Sequence, residues 1–170
     1  MPERKKNIRK IINTVIPIVE SNISEYAEVR SVLHMVCAWY YALSEQNEER
    51  ITAHLRMADK IDNHRKISDL DRIDYFYIPA ANMMCEIEKS DQSIRFLEKA
   101  CLICDTHRDS LPYLRKKFDL LSYQLEVFWF EHDKDKCRKI LQRIDAANEE
   151  AIEYNITLEI NEEIRKNILV

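Results

Sequence analysis

Residues 93–100 read Ser-Ile-Arg-Phe-Leu-Glu-Lys-Ala, with small or apolar positions at Ser93, Leu97 and Ala100, four and three residues apart. On an α-helix that spacing stacks the three side chains on one face. The same spacing occurs 42 residues earlier at Ile51, Leu55 and Ala58, and 44 residues later at Cys137, Leu141 and Ile144. A period of this size predicts stacked helical hairpins, each too small to bury its apolar face alone. Ser24, Ser68 and Ser110 keep the same beat, 44 and 42 residues apart, and each precedes a long apolar-periodic run. Serine caps helix starts because its hydroxyl accepts from a free backbone N–H of the first turn. Ser68 with Asp71 forms a weakened capping box. Asn155 or Thr157 is the next start in the series.

Each unit therefore reads as a first helix from the serine, a tight turn, and a second helix carrying the triplet. Helices are expected over residues 3–15, 24–45, 48–63, 68–88, 91–107, 110–131, 134–150 and 155–168. This gives one domain over 1–170: an N-terminal segment 1–23, repeat units 24–67, 68–109 and 110–153, and a closing helix in 154–170. Repeat arrays often need such a last helix to cover an exposed apolar face.

Glycine is absent from the 170 residues, where average usage of about 7% would supply roughly a dozen. Hairpin-rich β structure leans on glycine for positive φ, so its absence argues for an all-α chain. Helix C-caps are expected at asparagines such as Asn47 and Asn63, which tolerate the left-handed conformation. The net charge of −4 gives no reason to expect a nucleic-acid partner. Charge is uneven, however: Arg4, Lys5, Lys6, Arg9 and Lys10 open the chain, while no Lys or Arg lies between Ile144 and Ile164. These are solvated faces, or opposite ends that stack head to tail. No apolar run approaches the roughly 18 residues of a membrane helix, and no signal peptide is read. Five cysteines, an odd number within apolar patterns, suit a reducing cytoplasm.

No loop can close on phosphate without glycine, which excludes Walker and dinucleotide fingerprints. Neither a nucleophile elbow nor a His-Glu-x-x-His motif occurs, and no catalytic residue, metal or cofactor is assigned. Cys101, Cys104 and His107 share a helical spacing but lack a fourth zinc ligand and read as packing. Asp69, Asp71 and Asp74 suit a helix N-terminus rather than a cation loop. Pro79 falls within an expected helix and should kink it, either as a bend or by freeing a carbonyl beside Asn82.

Ala81, with Ser93, Leu97 and Ala100 behind it, resembles the tetratricopeptide-repeat pattern, and Ala38 and Leu125 take the matching place in the other units. The resemblance covers about residues 24–150. It departs in its period, which is 34 residues in the family and 42–44 here, and in lacking the family's turn glycine and closing proline. Longer repeats of this kind occur in sensor domains of bacterial regulators. The resemblance implies a right-handed superhelix of antiparallel helical hairpins with a groove lined by the first helices. Carried over, the peptide- or partner-binding positions are Met35 and Trp39, then Tyr75, Ile78 and Asn82, then Ser122, Glu126 and Trp129. An asparagine amide both donates and accepts, as an extended peptide requires. Trp39 and Trp129 read more readily as core, since both helices are apolar on more than one face.

The expected function is a non-catalytic peptide- or protein-binding scaffold, the sensor or interaction part of a bacterial signalling protein, with no membrane or nucleic-acid partner. The alternative is a homo-oligomerisation domain without a groove. A bundle enclosing a small apolar ligand is a third reading.

Overall fold

A computed structural model describes residues 14–23, 29–65, 67–160 and 162–169. Among these there is no strand. The expected starts of the first two helices, Ser24 and the basic residues 4–10 lie outside the described residues. Residues 14–22 form α1. The following helices are α2 (Arg30–Ser44), α3 (Glu48–Arg65), α4 (Asp69–Arg72), α5 (Ile78–Glu86), α6 (Ser90–Thr106), α7 (Leu111–Phe130), α8 (Lys134–Ala151) and α9 (Glu162–Leu169). The chain divides into two compact units, Met1–Lys89 and Ser90–Val170, so the boundary falls inside the expected second repeat. In the first unit α2 packs on α3 and on α5; in the second α6 packs on α7, α7 on α8 and α8 on α9.

All nine residues of the repeated triplets are buried, from Ile51, Leu55 and Ala58 to Cys137, Leu141 and Ile144. Ala38, Ala81 and Leu125 are buried as well. Small side chains at these places let neighbouring helices approach, while the larger members fill the space between them.

The period returns in the turns. Gln46, Glu88 and His132 have φ of 50°, 59° and 59°, and they lie 42 and 44 residues apart. After Glu88 the Lys89 N–H donates to the Met84 carbonyl at 2.8 Å, and after His132 the Asp133 N–H donates to the Phe128 carbonyl at 3.0 Å. This is the Schellman closure of a helix, which usually recruits glycine for its left-handed residue. Asn47 and Asn63 do not serve as left-handed C-caps, which corrects the sequence expectation. Asn63 lies inside α3, and Asn47 caps the start of α3, its Oδ1 accepting from the Arg50 N–H at 3.1 Å. An asparagine side chain is worth more as an acceptor for an open helix start than as a left-handed residue one position too late. A non-glycine residue in this conformation costs about 1–2 kcal/mol, against about 0.5–1 kcal/mol for the extra freedom glycine loses on folding. His132→Gly is therefore expected to stabilise the protein by about 0.5–1 kcal/mol, measurable as a higher urea midpoint; an unchanged or lower midpoint contradicts it.

Ser68 caps α4 as expected: its Oγ accepts from the Asp71 N–H at 3.1 Å and its hydroxyl donates to Asp71 Oδ2 at 2.6 Å. Ser110 stands at the N-cap of α7 without a side-chain cap bond. Pro79 lies at the second position of α5, directly after a π-helical turn over Ile73–Tyr77 in which the Ile78 N–H reaches back to the Ile73 carbonyl. Proline removes a donor and crowds the carbonyl four residues back. Placing it beside a turn that has already left the α-register lets the helix continue. The closing helix starts later than expected, at Glu162, because Asn155 takes φ 53° and ends a 3₁₀ turn over Ile152–Tyr154. Leu158 is then held at both backbone groups by the Asn148 amide. α9 runs antiparallel to α8: Arg165 pairs with Asp145 at 2.5 Å, and Arg138 Nε donates to the Ile168 carbonyl at 3.1 Å.

Candidate functional site

Of the residues carried over from the repeat family, five lie in the first unit. Met35 is buried in α2, Trp39 is half-buried on the same helix, Tyr75 is 70% exposed on the π turn, and Ile78 and Asn82 are half-buried on α5. The packing of α2 on α5 makes these helices neighbours. Ser122, Glu126 and Trp129 lie on α7 in the second unit, with Glu126 exposed and the other two half-buried. They follow one another at four and three residues, on a different side from the buried Leu121, Leu125 and Phe128.

Around Trp39 the helix carries a pattern of its own. Val29, Val32, Val36, Trp39 and Leu43 succeed one another at intervals of three, four, three and four. That is the spacing of an apolar seam made to meet another helix. Val32 is 61% and Leu43 66% exposed, and Val29 and Val36 are also exposed, so the seam faces outward. Its opposite side is committed to the core through Met35, Ala38 and Ala42.

The second unit holds a cleft of about 510 Å³ between the two helices α6 and α8. Its apolar floor is Ile94, Ile140 and, from α7, Phe128. Four cations stand around this floor: Arg95, Lys136, Lys139 and Arg143. Asp91 and Glu98 are the carboxylates of the lining. Lys136 pairs with Asp133 at 3.2 Å and lies over the Phe128 ring at 5.0 Å. Arg143 donates one N–H to Gln124 Oε1 at 3.0 Å, and the fully buried Gln124 amide passes a hydrogen to Cys101 Sγ at 3.4 Å. Arg95 and Lys139 are exposed and form no ion pair among the described residues. None of the family-derived positions lines this cleft. A signal for it is present in the sequence: Arg95 and Lys139 are each the third residue of a triplet segment, Ser93–Ala100 and Cys137–Ile144, and so occupy equivalent places in two repeats.

A polar chain runs from the exposed Arg50 to the buried His34 in the first unit. Arg50 donates to the Tyr41 hydroxyl at 2.7 Å, Tyr41 donates to Glu20 Oε2 at 2.6 Å, and His54 Nε2 lies 3.3 Å from Glu20 Oε1. His34 Nδ1 and His54 Nδ1 are 2.9 Å apart, so one ring donates and the other accepts. Burial first, then neighbouring positive charge, holds the His34 pKa below its ordinary value; burial does the same for His54 against the pull of Glu20. Burial works against the Glu20 carboxylate, but hydrogen bonds from Tyr41 and His54 outweigh it and hold the carboxyl low. Burial, and then the bond to Glu20, push the Tyr41 hydroxyl up to about 12. Both Glu20 oxygens and both His54 nitrogens are engaged, and this arrangement fastens α1 to α2 and α3.

All five cysteines are free, and Cys37, Cys101, Cys104 and Cys137 are buried. Burial pushes the Cys37 and Cys101 thiols up to about 11 and Cys104 up to about 12. A thiol that high is almost wholly protonated near neutral pH and is a poor nucleophile or metal ligand. His107 stacks on Tyr113 with ring centroids 4.1 Å apart. Among the described residues no three His, Cys, Asp or Glu side chains are grouped to hold a metal ion, and no helix is long and apolar enough to cross a membrane. Set against known proteins, the chain matches no family model, no curated protein and no solved structure.

Proposed function

We propose that this chain is a non-catalytic helical-repeat scaffold that binds a protein or peptide partner, in the manner of the sensor and interaction domains of bacterial regulators. One observation carries this reading: the outward apolar seam of α2, Val29, Val32, Val36, Trp39 and Leu43, on a first helix of the kind that lines the groove in tetratricopeptide repeats. An exposed apolar stripe set among polar residues marks an interaction surface. The exposed Tyr75 adds an aromatic anchor with a polar end. The right-handed superhelical arrangement belongs to the same proposal, supported by the recurring left-handed turn and the buried triplets.

A second reading is assembly through the same seam, because three-four spacing also suits a second copy of α2. One pair of experiments separates them. Wild type and Val32→Glu/Val36→Glu are used as bait in source-cell lysate, and each is weighed by light scattering over a concentration series. A partner that rebinds wild type when purified, and binds the variant about tenfold or more weakly, supports the proposal. Equal binding by both overturns it. A mass that rises with concentration for wild type alone, with no partner captured, favours assembly.

A further inference from the structure

We infer that the cleft between α6 and α8 is a second binding site, and that it takes an acidic peptide segment carrying one apolar side chain between its carboxylates. The site lies in the unit Ser90–Val170, apart from the α2 seam, and does not depend on that seam binding anything. The chain as a whole has a net charge of −4, yet this cleft gathers four cations against two carboxylates. Asp133, which pairs with Lys136 and also acts on Lys139, offsets part of this excess; counted in, it leaves four cations against three carboxylates, a local sign still opposite to that of the molecule. Opposed charge across an interface selects partners and speeds encounter.

The individual groups define the ligand further. Arg95 and Lys139 stand on facing helices, are exposed, and form no ion pair among the described residues. Arg143 spends one N–H on Gln124, and a guanidinium carries five. Lys136 is partly engaged by Asp133 and by the Phe128 ring, which leaves it a weaker contact. Two carboxylates of a ligand thus find one cation on each wall with no ion pair among the described residues, Arg95 and Lys139, although Lys139 also feels the charge of Asp133. Between these walls lie Ile94, Phe128 and Ile140, each nine-tenths buried or more, forming a floor that an apolar side chain would cover. Nearby, three of the last four carbonyls of α7 are occupied: those of Val127, Phe128 and Trp129 accept from Glu131, Asp133 and His132. Its negative end is thereby muted beside the cations. A nucleic acid is a poorer match. The molecule as a whole, with its net charge of −4, repels a long polyanion, whereas a short acidic segment meets only the local cations.

The volume, about 510 Å³, lies within the range of about 300–1,000 Å³ typical of small-ligand sites. It suits one large side chain with its neighbours rather than a whole folded surface.

The test uses the full chain. A phage-displayed library of random dodecapeptides is selected on wild type and on Arg95→Glu/Lys139→Glu. Wild type is expected to enrich sequences with two or more Asp or Glu flanking a Leu, Ile or Phe. A synthetic peptide of that sequence is expected to bind the charge-reversed chain about tenfold or more weakly, and to weaken as salt rises. Arg95→Gln/Lys139→Gln should fall between the two, and a circular dichroism melt matching wild type shows that the variants are folded. Enrichment of neutral or basic sequences overturns the proposal, as does undiminished affinity in the folded charge-reversed chain. Displacement of the peptide by an oligothymidylate at lower concentration than by unlabelled peptide also overturns it, as does a selection that enriches nothing.

Discussion

Leu97→Ala is expected to cost about 3 kcal/mol of stability, from a range of about 2–5 kcal/mol for buried leucines. Leu102→Ala, on the same helix, should stay within about 0.5 kcal/mol of wild type. The two substitutions remove the same atoms and change helix propensity by the same small amount. They differ in where the side chain points: Leu97 is fully buried at the centre of its triplet, and Leu102 is 65% exposed. Truncating Leu97 forfeits transfer energy and leaves a void that α7 cannot fully close. Urea unfolding followed by circular dichroism reads both. Similar losses at the two sites would show that the triplet face is not the core-forming face.

His54→Ala is the second large effect, at about 2–3 kcal/mol. Its ring holds His34 on one nitrogen and Glu20 on the other. Without it, a buried His34 nitrogen and one Glu20 oxygen lose their partners, and Glu20 keeps its bond from Tyr41. The same ring pair makes wild type acid-sensitive in a defined window. Burial holds both histidines below their ordinary pKa in the folded protein. As pH falls from about 7.5 towards 5.5, the unfolded chain takes up protons that the folded rings refuse, because the free value lies near 6.5. The unfolded state then binds more protons, so stability falls as pH falls. The slope is at most about 1.4 kcal/mol per pH step of one for each proton that only the unfolded chain holds. Glu20 acts in the same direction but lower down. Its depressed pKa supplies stability above the ordinary carboxyl range, which is lost only as pH falls through the folded value. Tyr41 does not titrate in this window, and Arg30 and Arg50 are the other charges facing the rings. Thermal melts at the two pH values should show a clear drop for wild type and a smaller one for His54→Ala. Equal drops would place the acid sensitivity elsewhere.

The helices and their buried faces are legible in the sequence because burial leaves a periodic trace: Ile51, Ser93 and Cys137 differ in chemistry but share a face. The turns are only half legible. Glutamine and glutamate carry no compositional mark of a left-handed residue and histidine a weaker one than asparagine, so Asn47 and Asn63 look better suited than Gln46, Glu88 and His132. What betrays the true positions is their period rather than their type. The π turn is hidden for a related reason: a proline announces a broken bond, but not that the helix widens beforehand to absorb it. The contacts between Glu20 and His54, 34 residues apart, and between Arg143 and Gln124, 19 apart, join different helices and leave no local pattern. The cleft cations Arg95 and Lys139 are plain in the sequence, but they sit on second helices, whereas the repeat family's groove is lined by first helices.

The buried thiols give this protein a built-in clock. Cys37 belongs to the first unit, and Cys101, Cys104 and Cys137 to the second. Each is shielded twice, by packing and by a pKa held above its ordinary value. An alkylating reagent therefore reacts with them at the rate at which the surrounding helices open. Cys85, only half-buried, marks the pace of a more accessible thiol in the same chain. Mass spectrometry of partly alkylated protein would then time the breathing of the two units separately, without a label being engineered into either.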